Sequence, residues 1–387
     1  MDEASSGATA ADDRPFRFFD NREKYLMFVT TCSEKQVAAD RIGREVDALR
    51  PSPPALGVFD AGMGDGTVLS MVLRDLHHTM PTVPFFVVGK EISAEDVRIC
   101  LDKLADRFYE HPQMVMVITN LYYVEAPWLM PRKPEARERL NWREVALDGA
   151  SSHEFDAQIK AQLGFVNDGW RTTPGKRTGN PHYVTPSVLV FYRADQRFAL
   201  SAVIPKKGDI DHAYDLVIVS QPYRARSSAE AKARTVLTPL AKSLAPGGRM
   251  IVIQSAGDDP GMEIVRAVWP DEDPFQTPRD MLVAAMRDQL GDDGFVYHYG
   301  DDCEFRYHLQ ISNREVASNI GTSTLLAAWN AAVYVAQIED DRLTEAMTQS
   351  DYLEATNRVL AEHKGLWFNN ECFVVAREHH DGEKETS

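Results

Sequence analysis

The chain has 387 residues, enough for two to three domains at about 150 residues each. Apolar residues make up 44% and charged residues 26%, which excludes a collagen-like, low-complexity or largely disordered chain. Forty-two Lys and Arg against 58 Asp and Glu leave a formal charge of −16, which repels phosphate backbones at long range. That charge disfavours a general nucleic-acid or anionic-membrane binder.

Residues 1–15 are acidic, small and polar and read as a disordered tail, with neither the basic start nor the apolar run of a secretory signal. Residues 16–50 form an N-terminal helical cap, because Val37, Ala38, Ile42, Val46 and Leu49 recur at helical spacing. The Pro-rich stretch at 51–57 then opens a new unit. Strand Gly57–Asp60, helix Thr67–His77, strand Val83–Gly89, helix Ala94–Tyr109 and strand Met114–Thr119 alternate across 51–125. Such alternation predicts a parallel sheet covered by helices.

Residues 126–212 interrupt the pattern and read as an inserted lid or substrate element. Its strand-like runs Ser187–Tyr192 and Phe198–Ile204 flank RADQR and predict a hairpin. Alternation resumes across 213–312 with strand Tyr214–Ser220, a helix from about Ser228 to Leu244, strand Arg249–Gln254, helix Arg279–Leu290 and strand Phe305–Ile311. A helical insertion, 313–367, precedes a last strand, Cys372–Arg377, and a polar tail within 368–387. The expectation is a doubly wound, mostly parallel seven-stranded α/β sheet with helices on both faces. No run reaches the roughly 18 apolar residues of a membrane helix, and four scattered cysteines without a CxxC pair fit a reducing cytoplasm. His298, Cys303 and His308 surround a predicted strand, but they lack the ligand-pair spacing of a zinc site and read as ordinary strand residues.

The most informative stretch is Asp60-Ala61-Gly62-Met63-Gly64-Asp65-Gly66, between a predicted strand and a predicted helix. Its glycines allow a sharp turn and close approach of a ligand. The spacing is GxGxG rather than the GxGxxG of a dinucleotide fingerprint, and Asp60 would repel a pyrophosphate there. A carboxylate at that strand end suits a cation. The bland alternative is a tight strand-to-helix connection with no ligand.

On these residues the chain resembles the class I S-adenosylmethionine-dependent methyltransferases. The resemblance implies that Asp60, Ala61, Gly62, Met63, Gly64 and Gly66 form the S-adenosyl-L-methionine loop. It also implies that Glu91, at the end of the next strand, binds the ribose hydroxyls beside Ile92, and that Asn120 faces the adenine where the family often has Asp. LAPGGRMIVI fits the turn before the fifth strand. Tyr25, on the N-terminal helix, would cap the methionyl end, unless that helix only packs.

Ser220-Gln221-Pro222-Tyr223 resembles the (Asp/Asn/Ser)-Pro-Pro-(Tyr/Phe) motif of amino- and amide-nitrogen methyltransferases, with Gln221 in place of the first proline. Ser220, Gln221 and Tyr223 are therefore the candidate catalytic residues; the alternative is a plain strand end. The implied activity is in-line methyl transfer to a small-molecule acceptor. A protein or nucleic-acid amino group, or a non-catalytic cofactor-binding module, are the alternatives. Oligomeric state does not follow from the sequence.

Overall fold

The computed structural model describes residues 22–175, 180–208, 213–291, 294–310 and 320–378. The polar tails at 1–15 and 379–387, the start of the helical cap at 16–21, and residues 311–319 lie outside the described residues. Three continuous apolar runs, β1 (Leu56–Asp60), β2 (Phe85–Lys90) and β3 (Met114–Thr119), are buried along their whole length. Full burial on both faces is what parallel central strands require.

The other strands are β4 (Asn141–Leu147), β5 (Thr172–Pro174), β6 (Pro181–Tyr183), β7 (Ser187–Arg193), β8 (Tyr214–Ser220), β9 (Leu244–Ser255), β10 (Phe295–His298), β11 (Glu304–His308) and β12 (Trp367–Arg377). A ten-stranded sheet runs β10-β12-β9-β8-β1-β2-β3-β7-β4, with β11 also on β12; β5 and β6 form a separate ribbon. β3, β2, β1, β8 and β9 are mutually parallel. β12 runs antiparallel to β9, and β7 antiparallel to β3.

Helices cover both faces. On one face, α1 (Arg22–Thr31) leads into α2 (Glu34–Val46), which packs with α3 (Thr67–Thr79) and α4 (Ala94–Glu110) against Leu56, Val58, Val87 and Ile218. α4 starts where Ser93 Oγ accepts the Asp96 N–H, and it buries Val97, Cys100, Leu101, Leu104 and Phe108 at three- and four-residue spacing. On the opposite face, residues 229–241 and the helix Arg279–Leu290 pack on Phe59, Val88, Val217 and Val252. A third cluster joins Phe28, Tyr307 and Phe368 to the helices Pro260–Val268, Thr322–Val335 and Tyr352–His363. Among the described residues no helix is long and apolar enough to cross a membrane.

The sheet is larger than the seven strands expected. β7 and β4 extend it beyond β3, and β10 adds a short edge. The expected hairpin partner Phe198–Ile204 is not a strand: Leu200 and Val203 are buried at a three-residue spacing while Phe198 is 94% exposed, the pattern of successive tight turns. β7 pairs instead with β3 and with β4, from earlier in the insertion. β9 begins at Leu244, so APGG lies inside it with a register shift against β8, and β11 ends at His308 rather than Ile311.

Candidate active site

Strand order steps outward from β1 to β2 to β3 and then returns to the other side of β1 with β8, so the connections diverge at the carboxyl ends of β1 and β8. Such a reversal leaves a crevice outside the strand ends. Register levels the residues around it. Asp60 is opposite Gly89 and Ile218, and Gly89 is opposite Ile118. Two residues further along each strand come Gly62, Glu91, Asn120 and Ser220, which form one rim around a cavity of about 780 Å³.

The bend after β1 holds Gly64 at φ 53° and Gly66 at φ 73°, left-handed conformations that glycine adopts without steric cost. A Cβ on Gly66 would lie 2.5 Å from Cys100 Sγ, so this glycine serves packing of the loop on α4. Gly62 differs: the nearest atom to a Cβ there is Ser220 O, 3.8 Å away. Its missing side chain leaves room in the cavity. Met63 is buried under the loop with its sulfur 3.5 Å from Cys100 Sγ.

Glu91 organises the bend. Its Oε2 accepts the Gly64 N–H at 2.9 Å, and Oε1 accepts the N–H groups of Ile92 at 2.6 Å and Ser93 at 2.8 Å. Trp170 of the insertion donates its indole N–H to the Glu91 carbonyl at 2.8 Å. Asp60 is 3% exposed and accepts a 3.3 Å bond from Gly62 N–H. Burial pushes its carboxyl up to about 7, with Gly62 N–H and Lys35 opposing and Glu91 adding to the rise. Asp96 is raised to about 6 by burial and by Glu91. A desolvated, acid-rich wall of this kind gains most from a bound cation.

α2 contributes Lys35, whose Nζ lies 3.2 Å from Tyr25 Oη and 3.4 Å from Asp65 Oδ1. Burial raises Asp65, but Lys35, Thr67 and Lys103 outweigh it and hold that carboxyl below its ordinary range. Tyr25 of α1 lines the cavity and lies 6.1 Å, ring to ring, from Tyr334.

Of the residues expected around a cofactor, Tyr25, Asp60, Gly62, Met63, Gly64, Glu91, Ile92 and Asn120 line the cavity, whereas Ala61 and Gly66 lie behind it. Asn120 is fully buried and its amide is engaged elsewhere. Nδ2 donates to the carbonyls of Gly169 at 2.9 Å and Thr185 at 3.0 Å, and Oδ1 accepts Ser187 N–H at 2.8 Å. The side chain expected to face an adenine therefore pins the insertion to the sheet.

Ser220, Gln221 and Tyr223 also line the cavity. Gln221 is left-handed at φ 51°, held by its N–H to Ile253 O at 3.0 Å and its Nε2 to Ser255 Oγ at 2.9 Å. A non-glycine residue in this region carries a backbone cost that the surrounding contacts must hold. Tyr223 Oη donates to Gln254 Oε1 at 3.1 Å, and burial raises its phenol far above the ordinary range. Lys232 lies 4.8 Å over the Tyr223 ring, lowered to about 8 by burial. Ser220 Oγ has no hydrogen-bond partner among the described residues.

Lys35, Lys90, Tyr122, Tyr123, Asp96 and Trp170 were not singled out from sequence. Tyr123 Oη donates to Pro222 O at 2.9 Å, and Tyr122 Oη is 2.7 Å from His182 Nδ1. The aromatic pair directly after β3 was the available signal. No group of three or more His, Cys, Asp or Glu among the described residues could hold a metal ion.

No family model matches the chain, and no curated protein does. Among solved structures it is similar to geranyl diphosphate methyltransferase in complex with GPP and sinefungin, at 12% identity over 87% of this chain and 78% of that one, TM-score 0.30. PKMT2 from Rickettsia typhi in complex with AdoHcy shares 10% identity over 90% of this chain but 54% of its own length, TM-score 0.32. The plantazolicin methyltransferase in complex with a monoazolic desmethyl analogue and SAH shares 7% over 93% and 91%, TM-score 0.35. Strand order and register, not these likenesses, define the fold of this chain.

Proposed function

We propose that this protein is an S-adenosylmethionine-dependent methyltransferase acting on a planar nitrogen of a small-molecule acceptor. The observation that carries the reading is the rim itself. A glycine bend flanked by Asp60 and Glu91 lies at the switch point of a doubly wound sheet, and its cavity continues to Ser220 and Tyr223.

The residues present fit the cofactor. Gly62 leaves space where a side chain would intrude, and Asp60 is a buried carboxylate that accepts the Gly62 backbone N–H. Glu91 carries acceptor oxygens at the rim for ribose hydroxyls, Ile92 offers an apolar flank, and Tyr25 closes the side under α1. When bound, the cofactor supplies a methyl group on a positively charged sulfur.

The protein's part is then alignment and exclusion of water, and effective molarities of about 10⁵–10⁸ M for well-oriented groups show how much positioning can supply. Ser220 Oγ, free at the rim, accepts a hydrogen bond from the acceptor nitrogen, and the Pro222–Tyr223 wall holds the planar ring. Tyr223 acts as a packed surface, because its hydroxyl is already given to Gln254.

Incubating the protein with methyl-labelled S-adenosylmethionine and a heat-inactivated whole-cell extract tests the reading. Label should pass into a low-molecular-weight product, and Ser220→Ala should slow that transfer about tenfold to a hundredfold, the cost of about one to two hydrogen bonds to the reacting group. Label confined to protein or nucleic acid would refute the acceptor class, and no transfer at all would refute the activity.

A further inference from the structure

Lys90, at the end of β2, is a buried charge of the cavity with no ion-pair partner among the described residues. We propose that it recognises a carboxylate on the acceptor, an inference that rests on the methyl-transfer reading and narrows its substrate class. Alternation along β2 puts Phe86, Val88 and Lys90 on the face packed by residues 229–241, opposite the face of Asp60 and α2. The side chain is 9% exposed and lines the cavity. Its Nζ sits 4.5 Å over the Tyr123 ring, and among the described residues it has no hydrogen-bond acceptor and no carboxylate partner.

A ring face offsets only part of the cost of desolvating an ammonium, so this position is incomplete without an anion. The surroundings fit one. Tyr123 is fixed to Pro222 O, which ties the Lys90 platform to the turn carrying Ser220. Asp60, Glu91 and Asp96 line the cavity with Lys35 beside them, whereas Lys90 enters it from the opposite face of the sheet. The Lys90 ammonium over the Tyr123 ring matches a planar carboxylate. A carboxylate held at Lys90 would turn the opposite end of the acceptor toward Ser220.

The test is calorimetric titration of benzoate and of its neutral isostere benzamide into the protein, with and without saturating S-adenosylhomocysteine. Wild type should prefer benzoate at least about tenfold, the size of one charge-assisted hydrogen bond. Lys90→Met should lose the preference while keeping its affinity for S-adenosylhomocysteine, and Tyr123→Leu should weaken it. Equal affinity for both probes, no benzoate binding, or a preference retained in Lys90→Met would overturn the proposal. So would a loss confined to S-adenosylhomocysteine, which would assign Lys90 to the cofactor. Should Lys90→Met not fold, the wild-type ratio and Tyr123→Leu decide. Failure of wild type to bind S-adenosylhomocysteine refutes the methyl-transfer reading separately, because the probes are also measured without it.

Discussion

Gly62 and Gly66 stand four residues apart and do different work. Gly66 is left-handed and its absent side chain makes room for Cys100. Gly66→Ala should destabilise the fold by about 2–4 kcal/mol, combining the left-handed backbone cost with overpacking, as read by urea denaturation. Asp60 makes a pH-dependent claim. Its folded carboxyl titrates near 7 because it is buried, whereas an unfolded Asp titrates near about 4. Between those values the folded state binds the extra proton, so this group's contribution to stability is present below about pH 4 and lost as pH rises through 7. A cation bound beside it drives that proton off. Affinity for S-adenosylmethionine should therefore rise with pH from 5 to 7, by up to about tenfold per unit, and then level. Asp60→Asn should flatten both the stability and the binding profile; a slope unchanged in the variant would exclude Asp60 as its source.

At the level of elements, the insertion joins the sheet through β4 and β7, while Asn180, Pro181 and His182 line the cavity. Asn120 joins the insertion to β3 by three hydrogen bonds, and Trp170 reaches from it to Glu91. Asn120→Ala should cost about 3 kcal/mol in urea denaturation, since buried partners are left unpaired, with lost amide protection concentrated at 169–175 and 180–187. Affinity for S-adenosylhomocysteine should stay within a few-fold, whereas a large loss of affinity at unchanged stability would support the adenine-facing role. The core strands were legible because β1, β2, β3 and β8 are unbroken apolar runs between turn signals, and the acid-flanked glycines announced the bend. The extension was not. β4 is half exposed with Arg143 and Glu144 at its centre, and its partner β7 comes 40 residues later, so no local pattern reports the pairing. Phe198–Ile204 carries strand-like composition, but its burial follows a three-residue spacing. β10 is four residues long and only half buried, which leaves little periodicity to read. Asn120 was found by position, but its hydrogen-bond partners lie in a segment whose path the sequence does not disclose.

Across the whole molecule, two cores cover the faces of the sheet and a third closes one end. That third core carries α1 onto the helix Thr322–Val335, through Phe28 and Tyr334 with ring centroids 5.0 Å apart, and Lys24 reaches Asp340 at 2.9 Å. The same end is tied to the turn after β8, where Arg226 donates to the carbonyls of Ala336 and Gln337 and Gln337 Oε1 accepts Ala225 N–H. Cavity walls thus come from both the N-terminal helices and residues 334–337, and burial raises the carboxyls of Asp60 and Asp96. A net charge of −16 surrounds a cavity with an acidic half built to receive a cation. Equilibrium binding of S-adenosylhomocysteine to wild type and to Gly62→Val tests that assignment most directly. The expected result is one site per chain in wild type and at least about hundredfold weaker binding in the variant, a loss of about 2.8 kcal/mol, with unchanged thermal stability. No binding to wild type, or equal affinity in the two proteins, would contradict it.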